Sequence, residues 1–375
     1  MFKFVLLFVI ACSPESEDSD TTATQTQTET QVEPEPEPDS TTPTETQTVT
    51  ETETQTETQT ETKTQTETET ETETKTEEEV IDCATAGIPS ADLVVTEIDG
   101  GRGYHGLVID PQGRLVGSNN STMWRVDSLG NTQSFGPALG VLDQMDILPN
   151  GDIVFAAQND SSIKRITPSG GVEVIVGGIA AYGVKLGPDG LIYAADNSKL
   201  IRFSPEGNAA WDILWSGDMG SGSFPRVLDW SPDLSRLYIG SRQGGRVFYM
   251  ELDENLDPIS DPILFATGIG SAYQDGLGVD VCGNVYIPDY STGSLWKITH
   301  DGTVSNYWNA QPFEQYGHGI EWGTWGDNPL TDDGWGETAI YVPQPYNGNH
   351  VAEIEIGIPY RTWPGTVINA PWQTE

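Results

Sequence analysis

From residue 105 onward, apolar and polar positions alternate in short runs, and the runs recur. Five segments share one pattern: a polar or aromatic residue, an alternating apolar stretch, a turn-forming tip, then a second apolar stretch. They read HGLVIDPQGRLVGS from His105, DQMDILPNGDIVFAA from Asp143, YGVKLGPDGLIYAAD from Tyr182, RVLDWSPDLSRLYIGS from Arg226 and DGLGVDVCGNVYIPD from Asp275. A sixth, HGIEWGTWGD from His318, has an expanded tip, and its second strand is expected over 338–343. The starts are 38, 39, 44, 49 and 43 residues apart. Each repeat continues into a third strand (MWRVD, IKRIT, LIRFS, RVFYMEL, LWKIT) and then a fourth. Pro-x-Gly and Gly-Asn tips are ordinary hairpin chemistry. Four short strands per repeat of about forty residues make one propeller blade. The pattern therefore predicts an all-β fold, a six-bladed β-propeller with four-stranded blades. The run LVVTEI at 93–98 is left over at the start. It is expected to pair with the C-terminal blade and close the ring, which leaves few open sheet edges.

The first eighty residues follow other rules. Residues 1–12, MFKFVLLFVIAC, carry Lys3 and then eight apolar residues. A permanent membrane span needs about 20, so the run fits a signal peptide. Val9-Ile10-Ala11-Cys12 resembles a lipobox, which implies an acylated Cys12 anchored in outer-membrane lipid, and a lipoprotein of the bacterial cell envelope. Residues 13–80 are Thr, Glu, Gln and Pro with 21 acids and two lysines, a net charge of −19. Such a segment cannot bury enough apolar surface to offset the entropy of ordering it, so a disordered stalk is expected. A flexible chain of this length spans roughly 45 Å r.m.s.. The folded domain is then 81–375.

Charge narrows the partners. Residues 81–375 carry a net −22, which argues against nucleic acid, whose phosphates require a basic surface. A small polar molecule or a surface partner fits better, with the domain monomeric. With Cys12 lipidated, Cys83 and Cys282 remain. Export places them in an oxidising compartment, so a Cys83–Cys282 disulfide is expected.

The stretches FPRVLDWSPDLSRLYIGS and DGLGVDVCGNVYIPDYSTGSLWKITHDG are similar to those of the senescence marker protein, gluconolactonase and regucalcin family. The resemblance covers about residues 90–310 and implies the six-bladed fold, a sugar-lactone hydrolase activity and one divalent cation in the central channel. The family holds that cation with a Glu, two Asn and an Asp. Asp275 matches the Asp. The other three positions hold His105, Tyr182 and Arg226, and Arg226 brings a permanent positive charge to a cation-ligand position.

The repeat phase adds a reading of its own. His105, Asp143, Tyr182, Arg226, Asp275 and His318 take one equivalent position in six blades, so they should ring one mouth of the channel. Three chemistries compete for that ring. In one, His105, His318 and Asp275 hold a divalent cation, Zn²⁺ or Ca²⁺, while Tyr182, Arg226 and Asp143 orient the substrate; propeller lyases of the NHL type resemble this plan. In another, Asp275 or a histidine is the base of a lactonase-like hydrolase. In the third, Arg226 pairs with Asp143 or Asp275 and the ring is a ligand pocket without catalysis.

Aromatic residues crowd the last repeat: Trp308, Phe313, Tyr316, Trp322, Trp325, Trp335 and Tyr346. Packing between blades accounts for most of them, with sugar stacking as the alternative. The loop from Gly326 to Glu337 carries Asp327, Asp332 and Asp333 at a spacing that matches no strong calcium motif.

Overall fold

The computed structural model describes residues 79–85, 95–98, 105–118, 123–140, 142–207, 210–270, 274–289, 292–309, 317–323, 335–344, 350–360 and 366–369. Cys12, the Thr- and Glu-rich segment up to residue 78, Phe313, Tyr316, Trp325, Tyr346 and the Asp327–Asp333 loop lie outside them. A single 3-10 turn at Gln158–Asp160 is the only helical element among the described residues.

Six four-stranded antiparallel sheets follow one another along the chain. Their innermost strands are Leu107–Ile109, Met145–Ile147, Ala181–Leu186, Pro225–Trp230, Gly278–Val279 and Glu321–Trp322, which define blades 1 to 6. The innermost and second strands are mostly buried, whereas the outermost, such as Thr132–Ser134 and Asp212–Ser216, are largely exposed. Each junction between neighbouring blades holds its own apolar cluster, from Val108, Met145 and Phe155 between blades 1 and 2 round to Leu107, Trp335 and Tyr341 between blades 6 and 1. Burial is thus spread round the ring instead of gathered at one centre.

The first hairpin of each blade shows why the tips read as they do. Gly113, Gly151, Gly190 and Gly283 all sit at positive φ there. In blade 4, Leu234 takes that place at φ 62°, a conformation that costs a β-carbon some strain.

The ring closes as its sequence pattern indicates. Val95–Glu97 pairs antiparallel with His350–Glu355 and completes blade 6. The second strand of that blade runs Ala339–Gln344. A further element was not expected: Glu79–Asp82 pairs in parallel with Thr366–Asn369, so regular structure starts two residues before position 81. The Cys83–Cys282 disulfide joins this pair to the blade-5 hairpin, with Cα atoms 5.5 Å apart and a sequence separation of 199. Beside it, Val281 N–H donates to the Pro359 carbonyl at 3.0 Å, and the Trp322 indole donates to Ile358 at 3.0 Å. The segment around Ile358 is thereby strapped across the hairpin end of blades 5 and 6.

Candidate functional site

The six ring residues meet. Asp143 accepts a hydrogen bond from His105 Nδ1 at 3.0 Å. The His105 ring stacks on His318, centroids 4.1 Å apart. His318 Nδ1 lies 3.0 Å from Asp275 Oδ2. Arg226 is hydrogen-bonded and ion-paired to Asp275 Oδ1. The Arg226 guanidinium lies over the Tyr182 ring, 3.8 Å from its centroid. Tyr182 returns to blade 2, where its hydroxyl accepts from Gln158 and its carbonyl from Gln144 N–H at 3.0 Å. The contacts therefore run through blades 2, 1, 6, 5, 4 and 3 and back to 2.

Two local features put these side chains there. The register of the innermost strand slips between Ala181 and Gly183 and between Pro225 and Val227. Tyr182 and Arg226 are the extra residues of those bulges, a device that re-aims a side chain. The second feature is a glycine directly after the ring residue in four blades. A Cβ at Gly106 would stand 2.0 Å from the Asp143 carbonyl, at Gly183 2.6 Å from Arg226, at Gly276 2.1 Å from His318 and at Gly319 2.5 Å from His105. In each case the obstacle is the backbone of the next blade's ring residue, so only glycine allows the innermost strands this close. In blade 2 the place is taken by Gln144, whose amide donates to Leu228 O at 2.7 Å and accepts from Leu228 N and Val184 N.

Electrostatics separates the two carboxylates. Burial pushes the Asp143 carboxyl up, only partly offset by His105. Its Oδ2 has no hydrogen-bond partner. Burial acts on Asp275 too, but the His318 contact and the Arg226 charge overcome it and hold the carboxyl well below the usual range. Asp275 is consequently an anchor for its neighbours and a poor proton acceptor, unlike the base role considered for it from sequence. Burial and the adjacent His105 bring His318 down to about 4, so it is neutral at pH 7.

The arrangement does not fit a metal held by His105, His318 and Asp275. Both Asp275 oxygens are engaged, both histidines turn Nδ1 to a carboxylate, and the two rings lie 17° from parallel instead of converging on a point. A guanidinium is already in contact with the carboxylate. Among the described residues, no group of three or more His, Cys, Asp or Glu is disposed to hold a metal ion.

A second polar layer lies three residues further along the same strands, and the sequence reading did not single it out. There Asp146, Lys185, Asp229 and Glu321 stand in blades 2, 3, 4 and 6. Asp146 Oδ2 accepts from Leu186 N at 2.8 Å, and Asp229 Oδ2 from Val279 N at 2.9 Å, each tying its blade to the next. Lys185 Nζ is 3.7 Å from Asp229 Oδ1, which also accepts from the Tyr360 hydroxyl at 2.9 Å. Burial disfavours the Lys185 ammonium, but Asp229, Tyr360, Asp146 and Glu321 together keep it charged. Burial pushes Glu321 up to about 8. Of the aromatic group, Trp322 and Trp335 are buried between blades, and the Trp335 indole donates to Gly113 O at 2.7 Å, which makes them packing residues.

No family model matches the sequence, and no curated protein matches it. Solved structures do match the fold. A gluconolactonase of Xanthomonas campestris superposes with a TM-score of 0.58 at 14% identity, over 73% of this chain and 92% of its own. A putative gluconolactonase gives 0.57 at 15%, over 74% and 96%. A regucalcin of Agrobacterium tumefaciens strain C58, a calcium-binding protein, gives 0.56 at 12%, over 76% and 98%. The chain is a six-bladed propeller of the architecture that gluconolactonases and regucalcin share.

Proposed function

We propose that this is a lactonase-like propeller whose channel mouth takes a small polar, carbonyl-bearing ligand and opens it by hydrolysis, with His105 as general base. The observation that carries the reading is the His105–Asp143 contact at 3.0 Å. A buried carboxylate on Nδ1 fixes the tautomer and makes Nε2 the nitrogen that exchanges a proton, the dyad logic of general-base sites. In a lactone, Nε2 would take a proton from water as its oxygen attacks the carbonyl. The ring C–O bond then breaks, and the proton passes to the departing alkoxide. The Arg226 charge, in blade 4 on the opposite side of the mouth, offsets the transient oxyanion. Acid release from a panel of γ- and δ-lactones, followed by pH-stat, tests this. Turnover that falls on His105→Ala supports it, and a wild-type protein inert on every lactone refutes it.

A second reading has its own observation. Most of the ring side chains already pair with one another, with Arg226 closed on Asp275 and the histidines stacked. A pocket so arranged suits ligand capture without chemistry, and would show saturable binding with no turnover.

We place the domain on a lipid anchor at Cys12, in the cell envelope, tethered through the acidic segment 13–80. The composition of that segment and the Lys3-to-Cys12 pattern support this. Loss of fatty-acid labelling on Cys12→Ser is the expected result, and unchanged labelling would refute the anchor.

A further inference from the structure

We infer that the channel supplies its own cations: the Arg226 guanidinium in the mouth layer and the Lys185 ammonium in the layer below take the places that a bound divalent ion would otherwise occupy.

The two layers occupy equivalent positions in the blades, and each contains one fixed cation among carboxylates contributed by other blades. In the mouth, Arg226 of blade 4 faces Asp275 of blade 5, with Asp143 across the ring. It is also seated on the Tyr182 face, 3.8 Å from the centroid. Below, Lys185 of blade 3 stands 3.7 Å from Asp229, with Asp146 and Glu321 as the other acids of the layer. Four of these five acids, Asp143, Asp146, Asp229 and Glu321, are buried, and a buried acid that ionises needs a compensating charge. The protein meets that need with side chains.

Geometry excludes a second cation beside either one. In the mouth an incoming ion would meet the guanidinium at contact distance of Asp275. Below, the cavity bordered by Lys185, Asp229, Glu321 and Tyr360 measures about 10 Å³, at the lower limit for a single water molecule. A hydrated divalent ion does not fit there while Lys185 is in place.

The inference concerns the same mouth as the proposed hydrolysis but adds something that reading does not require. Its test reads cation binding, so absence of lactone turnover leaves it untouched. The experiment is calorimetric titration of the purified protein with Ca²⁺, Mn²⁺ and Zn²⁺, in the wild type, Arg226→Met and Lys185→Met, with folding of each checked by circular dichroism. Methionine keeps the length of the side chain and removes its charge. The wild type is expected to show no site tighter than about 1 mM. Either variant that folds should gain a site at least about tenfold tighter, because the like charge has gone from among the carboxylates. A further Asp275→Asn change should abolish the site gained in Arg226→Met. Tight binding by the wild type that is lost on Asp275→Asn would overturn the inference. So would a folded Arg226→Met protein and a folded Lys185→Met protein that both bind no cation. If neither variant folds, the wild-type titration still decides.

Discussion

The imidazole of His105 lies flat against that of His318 at the junction of blades 1 and 6, centroids 4.1 Å apart and planes 17° from parallel. Burial disfavours the charged form of His318, and the adjacent His105 ring adds to the cost. His318 accordingly holds its neutral form down to about pH 4. The unfolded chain takes up this proton near pH 6.5, so folding loses stability as pH falls from about 6.5 toward 4. NMR titration of the His318 ring carbons should show the low value, and His105→Gln should raise it by removing the adjacent imidazole. An ordinary His318 titration near 6.5 in the wild type would contradict the stacked geometry.

Glu321 gives the opposite pH signature. Burial raises its carboxyl to about 8, against about 4.5 when unfolded. Its contribution is complete below pH 4.5 and is lost as pH rises toward 8, since ionisation is then easier in the unfolded chain. Glu321→Gln should be close to neutral at pH 5. At pH 8.5 it should be more stable than the wild type, by roughly 1–4 kcal/mol. Thermal melts at the two pH values check the sign, and an equal effect at both would exclude titration of this group.

The glycines behind the ring residues make a packing prediction. Gly276→Ala sets a Cβ 2.1 Å from the His318 carbonyl, and Gly106→Ala one 2.0 Å from that of Asp143. Backbone cannot yield as a side chain tip does, so each should cost about 1–3 kcal/mol or more. Gly177→Ala, where nothing lies within 4 Å, is the control. Urea denaturation of the three variants should separate them.

The Cys83–Cys282 bond spans a sequence separation of 199 and ties the Glu79–Asp82 and Thr366–Asn369 pair to blade 5. Paired Cys83→Ser and Cys282→Ser changes should lower stability by about 2–5 kcal/mol. Peptide mapping without reductant should recover the two cysteines in one cross-linked fragment. Reductant should lower the melting temperature of the wild type and leave that of the double variant unchanged.

Asp275 and Arg226 are a buried pair, and its halves are not separable at low cost. Asp275→Asn leaves the guanidinium without its counter-charge, a loss of about 3–5 kcal/mol. Arg226→Lys keeps the charge but not the flat stacking on Tyr182, so it should weaken the site more than its charge suggests. Denaturation curves of both variants against wild type measure this.

The blade count and the six ring positions were legible because they depend on one periodic signal: a polar residue, an alternating strand and a turn with Gly, Pro or Asp, at a spacing of about forty. The closing strand at Val95–Glu97 and the disulfide followed from the same count and from the cysteine inventory. Roles within the ring were less legible. Whether Asp275 is base or anchor depends on which neighbours reach it through space, and His318 and Arg226 are 43 and 49 residues away in sequence. The lower layer left a signal that went unread: MDI, VKL, LDW and IEW each break an apolar inner strand with one charge, three positions after the ring residue. Strand alternation alone places such residues on the other face from the ring. In blades 3 and 4, the bulges at Tyr182 and Arg226 restore both layers to the channel, and sequence period does not announce a bulge. The pairing of Glu79–Asp82 was hidden because Glu79 closes a run that reads as stalk.

The central claim is that the channel mouth performs proton transfer through His105 held by Asp143. Its most direct test is kcat/KM for lactone opening by the wild type and Asp143→Asn, compared under one buffer with both proteins shown to be folded. The account predicts measurable wild-type turnover and a loss of about 10²–10⁴ in the variant; a folded Asp143→Asn protein with wild-type kcat/KM would contradict it.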